Sequence, residues 1–152
     1  MRKSVLLRVL SLMLVALVLF TGCVRLDGPT AVPAILETGE YSSKEEVADY
    51  LHQYGHLPSN YLTKKQAQEL GWVSSQSNLW DVAPGMSIGG DRFGNWEGLL
   101  PEAPGRKYYE CDIDFDGSYR NAKRIIYSND GLIYYTNDHY ESFQLLYGEV
   151  KP

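Results

Sequence analysis

Hydrophobic and polar positions change their period midway along the chain. Val47, Tyr50, Leu51 and Tyr54 fall at i, i+3, i+4 and i+7, one face of a helix. Before them, Ser43-Lys44-Glu45-Glu46 has the hydroxyl-to-Glu spacing of a capping box. Gly55 suits the left-handed residue that ends a helix, and Pro58 blocks continuation. Thr63-Lys64-Lys65-Gln66 repeats the box and opens a shorter helix that carries Ala67 and Leu70 and stops at Gly71. Asn78 is placed to cap a third short turn before Pro84-Gly85.

The second half alternates instead. Tyr109, Cys111 and Ile113 interleave with Glu110, Asp112 and Asp114, which predicts a strand with one buried and one polar face. Ala122 to Ser128 and Leu132 to Thr136 are rich in β-branched and aromatic residues, with the hairpin signal Asn129-Asp130-Gly131 between them. Ser142 to Tyr147 reads as a last strand. Helices first and antiparallel strands second predict an α+β domain, with the helices on one face of the sheet. There is no internal repeat and no low-complexity tract.

The N-terminus follows neither pattern. Arg2, Lys3 and Arg8 precede Val9 to Phe20, a 12-residue run that is apolar except for Ser11. Such a run fits a signal peptide and is short for a membrane span, which needs about 20 residues. It ends in Phe20-Thr21-Gly22-Cys23, similar to a bacterial lipobox with Phe in place of the usual Leu. Three readings stand: a lipoprotein acylated at Cys23, ordinary cleavage near Gly22, or an uncleaved anchor over Val5 to Val24. Val24 to Tyr41, with Gly28-Pro29, Pro33 and Gly39 and no period, reads as a tether. The expected organisation is a signal segment over 1–22, a tether over 23–41 and one folded domain over 42–152. A length of 152 residues suits one domain with a real core.

Charge narrows the partners. Removing residues 1–22 takes 3 of the 14 basic residues and no acids, leaving 11 against 19, a charge of −8. Such a chain is no general polyanion binder, so a nucleic acid would need a local basic pocket. The 12 tyrosines suit a secreted domain with a wet face. With Cys23 lipidated or removed, Cys111 is alone and forms no intramolecular disulfide. No Cys/His cluster has metal-ligand spacing, and neither a metal nor a cofactor is expected.

Six segments then point to a family. They are Val47-Ala48-Asp49-Tyr50-Leu51, Gln66-Ala67-Gln68, Leu70-Gly71-Trp72-Val73, Asp81-Val82-Ala83-Pro84-Gly85, Ser87-Ile88-Gly89-Gly90-Asp91 and Thr136-Asn137-Asp138-His139-Tyr140. Together they resemble the barnase-like family of secreted bacterial guanyl-preferring ribonucleases, over about Val47 to Phe143 without a gap. The resemblance implies helices on a twisted antiparallel sheet of about five strands, with RNA across the other face. It implies that Glu110 is the base and His139 the acid of a metal-free transesterification to a 2′,3′-cyclic phosphate, followed by hydrolysis. Arg120, Arg124 and Lys64 would hold the phosphate, and nearby Arg would keep Glu110 ionised. Asp112 would orient the two arginines.

Guanine would be read by Phe93-Gly94-Asn95-Trp96-Glu97, with Glu97 accepting from the base, Tyr140 stacking near it and Gly89-Gly90-Asp91 shaping the approach. Trp96 stands where an Arg is common in the family, and Gly94 where a Ser is. Trp96 either stacks on a base or packs on its own loop. Without the resemblance the bland readings stand: Glu110 a solvated carboxylate, His139 an exposed loop residue, Arg120 and Arg124 surface ion pairs. His52 and His56 match no family site and read as surface residues.

Three functions are in contention: an extracellular endoribonuclease, a catalytically silent RNA- or partner-binding module on the same scaffold, and a DNase. The last is disfavoured, because the implied chemistry uses the substrate's 2′-hydroxyl. The resemblance also implies an intracellular acidic inhibitor of the barstar type and a monomeric enzyme. Lipid on Cys23 would add a membrane contact.

Overall fold

The computed structural model describes residues 34–150. The signal-segment readings, and Cys23 with them, lie outside the described residues. Three α-helices precede most of the sheet: α1 (Lys44–Tyr54), α2 (Lys64–Glu69) and α3 (Leu79–Val82), with a 3-10 turn at Ser74–Gln76. The strands are β1 (Tyr61–Leu62), β2 (Ser87–Phe93), β3 (Tyr108–Asp112), β4 (Arg124–Ser128), β5 (Ile133–Thr136) and β6 (Gln144–Tyr147). They form one sheet in sequence order, antiparallel except for the parallel β1–β2 pair. The α+β class holds. The sheet has six strands rather than about five, because a two-residue strand is too short to show any period.

Both helix starts are capped as the spacing predicts. Thr63 and Gln66 form the full reciprocal box. At α1, the Ser43 hydroxyl accepts from the Glu46 N–H, but the Glu46 carboxylate accepts from the Ser43 hydroxyl at 2.5 Å rather than from its backbone. Gly55 ends α1 at φ +75°, donating its N–H to Leu51. Asn78 is not a cap. Its amide bridges the Val73 N–H and the Gly71 carbonyl instead.

The end of the expected tether belongs with the domain. The Tyr50 and Tyr54 hydroxyls donate to the Glu37 and Ile35 carbonyls, and Asn60 bonds both backbone groups of Tyr41. The compact unit accordingly starts at Ile35, earlier than Ser42.

The α1 face of the sheet is apolar. Val47, Ala48 and Leu51 pack on Cys111, Ile113, Ile125 and Ile133. Ala67, Trp72, Leu79, Ile88 and Phe115 form a second cluster around α2 and α3. The opposite face carries the polar residues of β3, as the alternation predicts. It is buried too: Tyr108, Ile126, Leu132 and Tyr134 form a third cluster, while Glu110 and Asp112 are only 7% and 2% exposed.

One backbone irregularity directs β2 at that face. Gly89 pairs with Cys111 on the α1 side, yet Asp91 pairs with Glu110 and Phe93 with Tyr108 on the other. The register shift lies between Gly89 and Asp91, where Gly90 takes φ +92°. An extra residue in one strand moves every later side chain to the opposite face. Gly89 also crosses β3 closely, since a Cβ there would lie 2.5 Å from the Cys111 Cβ.

Candidate active site

Strand β3 presents Glu110 and Asp112 on one face, two residues apart, and each carboxylate is buried against cations. Glu110 Oε1 lies 2.5 Å from the Lys64 ammonium, and its Oε2 accepts from the Tyr140 hydroxyl at 2.5 Å. Asp112 takes a bidentate pair from Arg120, Nε and Nη2 each at 2.6 Å. Arg124 Nε lies 2.9 Å from Asp112 Oδ1, but its N–H makes no directed hydrogen bond, so this contact is a charge pair. Arg124 Nη1 donates to the Asn121 and Lys123 carbonyls, both at 2.7 Å. Asp112 therefore fixes the Arg120 guanidinium and pairs by charge with that of Arg124, which two backbone carbonyls orient.

Burial pushes the Glu110 carboxyl up. The hydrogen bonds from Lys64 and Tyr140, with the charges of Lys64 and Arg120, more than offset it and hold the carboxyl below its usual range. Lys64, not an arginine, is the cation in direct contact. Burial and the Glu110 contact push the Tyr140 hydroxyl well up, so it remains a donor. The role expected of Tyr140 was base stacking. Its ring does face Phe93, centroids 5.3 Å apart, but its hydroxyl is committed to Glu110.

A cleft of about 710 Å³ joins these groups. Lys64, Glu110, Arg120, Arg124, His139 and Tyr140 line it, together with Phe93, Trp96 and Glu97. Seven other residues singled out from sequence thus share one cleft with Glu110 and His139: Lys64, Phe93, Trp96, Glu97, Arg120, Arg124 and Tyr140. His139 is exposed; its ring lies 4.7 Å from that of Tyr140 and makes no side-chain hydrogen bond among the described residues. His139 and Tyr140 take φ +58° and +76°, the left-handed region that costs about 1–2 kcal/mol per non-Gly residue.

Two residues of the expected substrate region use their side chains on the protein's own backbone. Asp91 does not border the cleft; its carboxylate accepts from the Lys64 backbone N–H at 2.8 Å, opposite the positive end of α2. This offsets the awkward position of a lysine in a first helical turn. Asn95 is 7% exposed and its amide clasps both backbone groups of Leu100, at 2.9 and 3.0 Å. It shapes the loop.

Trp96 is 91% exposed, so most of its surface is open. It does lean on Gly94, where a Cβ would come 2.2 Å from the indole Nε1. The two departures from the family pattern are therefore neighbours in space. Sequence reasoning missed Leu99 and Glu141 at the cleft, and Arg92, whose guanidinium lies over the Tyr109 ring at 5.4 Å from its centroid. No periodicity marks these loop and rim positions. Cys111 is buried, and burial pushes its thiol well up, which leaves it a small apolar core residue.

Known proteins match this sequence. The family model described as ribonuclease matches residues 44–147. A ribonuclease of Heyndrickxia coagulans is 59% identical over 97 residues, covering 64% of this chain and 89% of that protein. A ribonuclease of Bacillus intermedius is equally identical over 97 residues, which are 60% of its length. Guanyl-specific ribonuclease St of Saccharopolyspora erythraea is 40% identical over 57 residues, 37% of this chain and 56% of that one. With its helices, its sheet and the charged cleft all inside the matched span, the chain belongs to the ribonuclease family.

Proposed function

We propose that the protein is an extracellular endoribonuclease that cleaves single-stranded RNA on the 3′ side of guanosine without a metal. The observation that carries this reading is the pairing of a buried, ionised Glu110 with His139 in one cationic cleft. RNA brings its own nucleophile. Glu110 takes the proton of the 2′-hydroxyl, O2′ attacks phosphorus, and His139 protonates the departing 5′-oxygen. The product is a 2′,3′-cyclic phosphate. Water then opens it, with His139 taking the water's proton and Glu110 returning its own to the 2′-oxygen.

Before substrate arrives, both oxygens of Glu110 are occupied. The Lys64 side chain is 40% exposed, so a substrate phosphate can draw its ammonium away and free Oε1 for the 2′-hydroxyl. Arg120 and Arg124, held by Asp112, face the charge that develops on the phosphate oxygens. No part of the guanidinium pair must reorganise during the step.

Guanine preference rests on the loop from Phe93 to Glu97. Asn95 at φ +47° turns its backbone, and Glu97 is exposed at the cleft to accept from the base edge. The likeness to a relative described as guanyl-specific supports this. Trp96 offers an open aromatic face for a base. Export by the N-terminal segment, with acylation at Cys23, remains part of the proposal, as does an acidic inhibitor in the producing cell.

The test uses an RNA with a single G, with chelator present. A 2′,3′-cyclic phosphate 3′ of that G, lost in Glu110→Ala and His139→Ala, is the expected result. Binding without cleavage would instead indicate a silent module.

A further inference from the structure

We propose that Asp138, acting with Thr136, is a positioning residue that sets the acid His139 and the hydroxyl of Tyr140 together; this rests on the catalytic reading above. The problem it solves is visible in the site. In a catalytic pair, an acid histidine is ordinarily oriented by a partner on its ring. The His139 ring has no such hydrogen bond among the described residues. Its direction must come from the backbone that carries it.

That backbone is unusual. His139 and Tyr140 are consecutive non-glycine residues at positive φ. Such a pair persists only where its surroundings over-determine it. Besides the bond from the His139 N–H to the Ala122 carbonyl at 3.3 Å, the surroundings are two side chains. Asp138 Oδ1 accepts from the Glu141 N–H at 3.1 Å, the Ser142 N–H at 3.0 Å and the Thr136 hydroxyl at 2.7 Å. Asp138 Oδ2 accepts from the Ser142 hydroxyl at 2.5 Å. Thr136 Oγ1 in turn accepts from the Tyr140 N–H at 3.1 Å. The chain on both sides of the two left-handed residues is thereby tied to one carboxylate. Thr136 itself is 1% exposed at the end of β5, so the knot is anchored to the sheet.

The consequence reaches both halves of the reaction. The loop delivers the His139 imidazole to the cleft and, one residue on, the Tyr140 hydroxyl to Glu110 Oε2. One carboxylate that touches no substrate therefore sets the acid and the group that orients the base. The Ser142 and Thr136 hydroxyls and the Ser142 N–H hold the Asp138 carboxyl down to about 2, which keeps it an acceptor across the working pH range.

The experiment compares Asp138→Ala, Asp138→Asn, Thr136→Val and Thr136→Ser, each confirmed folded by circular dichroism at the assay temperature. Steady-state cleavage of a short G-containing RNA is measured, and each change is repeated in a His139→Ala, Tyr140→Phe background. The expected result is a kcat loss of about 10- to 100-fold for Asp138→Ala and Thr136→Val, with KM nearly unchanged. Thr136→Ser should recover most of it. In the double-mutant background the Asp138 change should cost little more, because its targets are already gone. If Asp138→Ala does not fold, Asp138→Asn and Thr136→Val carry the test. Unaltered kcat in folded variants, or an equal loss in the background lacking His139 and Tyr140, would overturn the proposal. Full activity of His139→Ala alone would strike the catalytic reading instead.

Discussion

The two faces of β3 are equally buried and chemically opposite. Cys111 and Ile113 on one side are 1% and 0% exposed, and Glu110 and Asp112 on the other are 7% and 2%. The apolar face is stabilised by removal of surface from water. The polar face is tolerable only because each charge has a partner, since an unpaired buried charge is far more costly than a paired one. A dry core asks only for fit. An ionised, desolvated constellation asks for the right neighbours, and in the proposed function those neighbours are what make it reactive.

The sharpest way to separate the faces is by rate. Glu110→Gln and His139→Gln should each lower kcat by about 10²- to 10⁴-fold, read in single-turnover cleavage, with little change in fold. Ile125, 0% exposed on the apolar face, should behave in the reverse way. Ile125→Ala is expected to cost about 2–5 kcal/mol of stability while the folded fraction keeps its kcat. A fall in kcat of the folded Ile125→Ala enzyme comparable with that of Glu110→Gln would erase the distinction.

Asp112→Asn tests the pairing itself. It leaves Arg120 and Arg124 facing a neutral amide, and the expected cost in denaturant unfolding is about 3–5 kcal/mol, with loss of activity besides. A stability close to that of the parent would show that the cations do not depend on it.

Acid should sharpen the contrast. Lys64, Tyr140 and Arg120 hold the Glu110 carboxyl below its usual range against the opposing effect of burial. A depressed folded value contributes stability that is complete above the ordinary carboxylate pKa, about 4.3. That stability is lost as pH falls through the lower folded value. The parent should therefore lose stability on acidification relative to Glu110→Gln. Parallel curves would contradict this.

The smallest effect belongs to the rim. Trp96→Ala should weaken RNA binding by about 1–3 kcal/mol if its open face stacks on a base. The salt dependence should not change, because no charge is removed. Trp96→Arg should steepen it.

Local chemistry was legible in the sequence, and long-range partnership was not. The two capping boxes, Gly55 and the Asn129-Asp130-Gly131 turn each act within a few residues, and each marks an end or a turn of an element. Period two placed Glu110 and Asp112 on one face but could not show that the face is covered. The covering groups, Lys64 and Tyr140, lie 46 and 30 residues away in sequence. The bulge at Gly90 was equally hidden, because a glycine pair permits a register shift without specifying one. Asn78, Asp91 and Asn95 read as a cap and as substrate contacts by type and position. Their side chains are spent on backbone groups that only the folded loops bring near. The family resemblance supplied the partnership of Glu110 with His139, which no spacing could.

The most direct measurement replaces the single guanosine of an RNA substrate by 2′-deoxyguanosine and follows cleavage at that position with chelator present. The account predicts that the bond 3′ of the deoxy residue stays intact while the all-ribose substrate is cut there. Cutting at the deoxy position would contradict it, because the nucleophile that Glu110 is placed to activate would be absent.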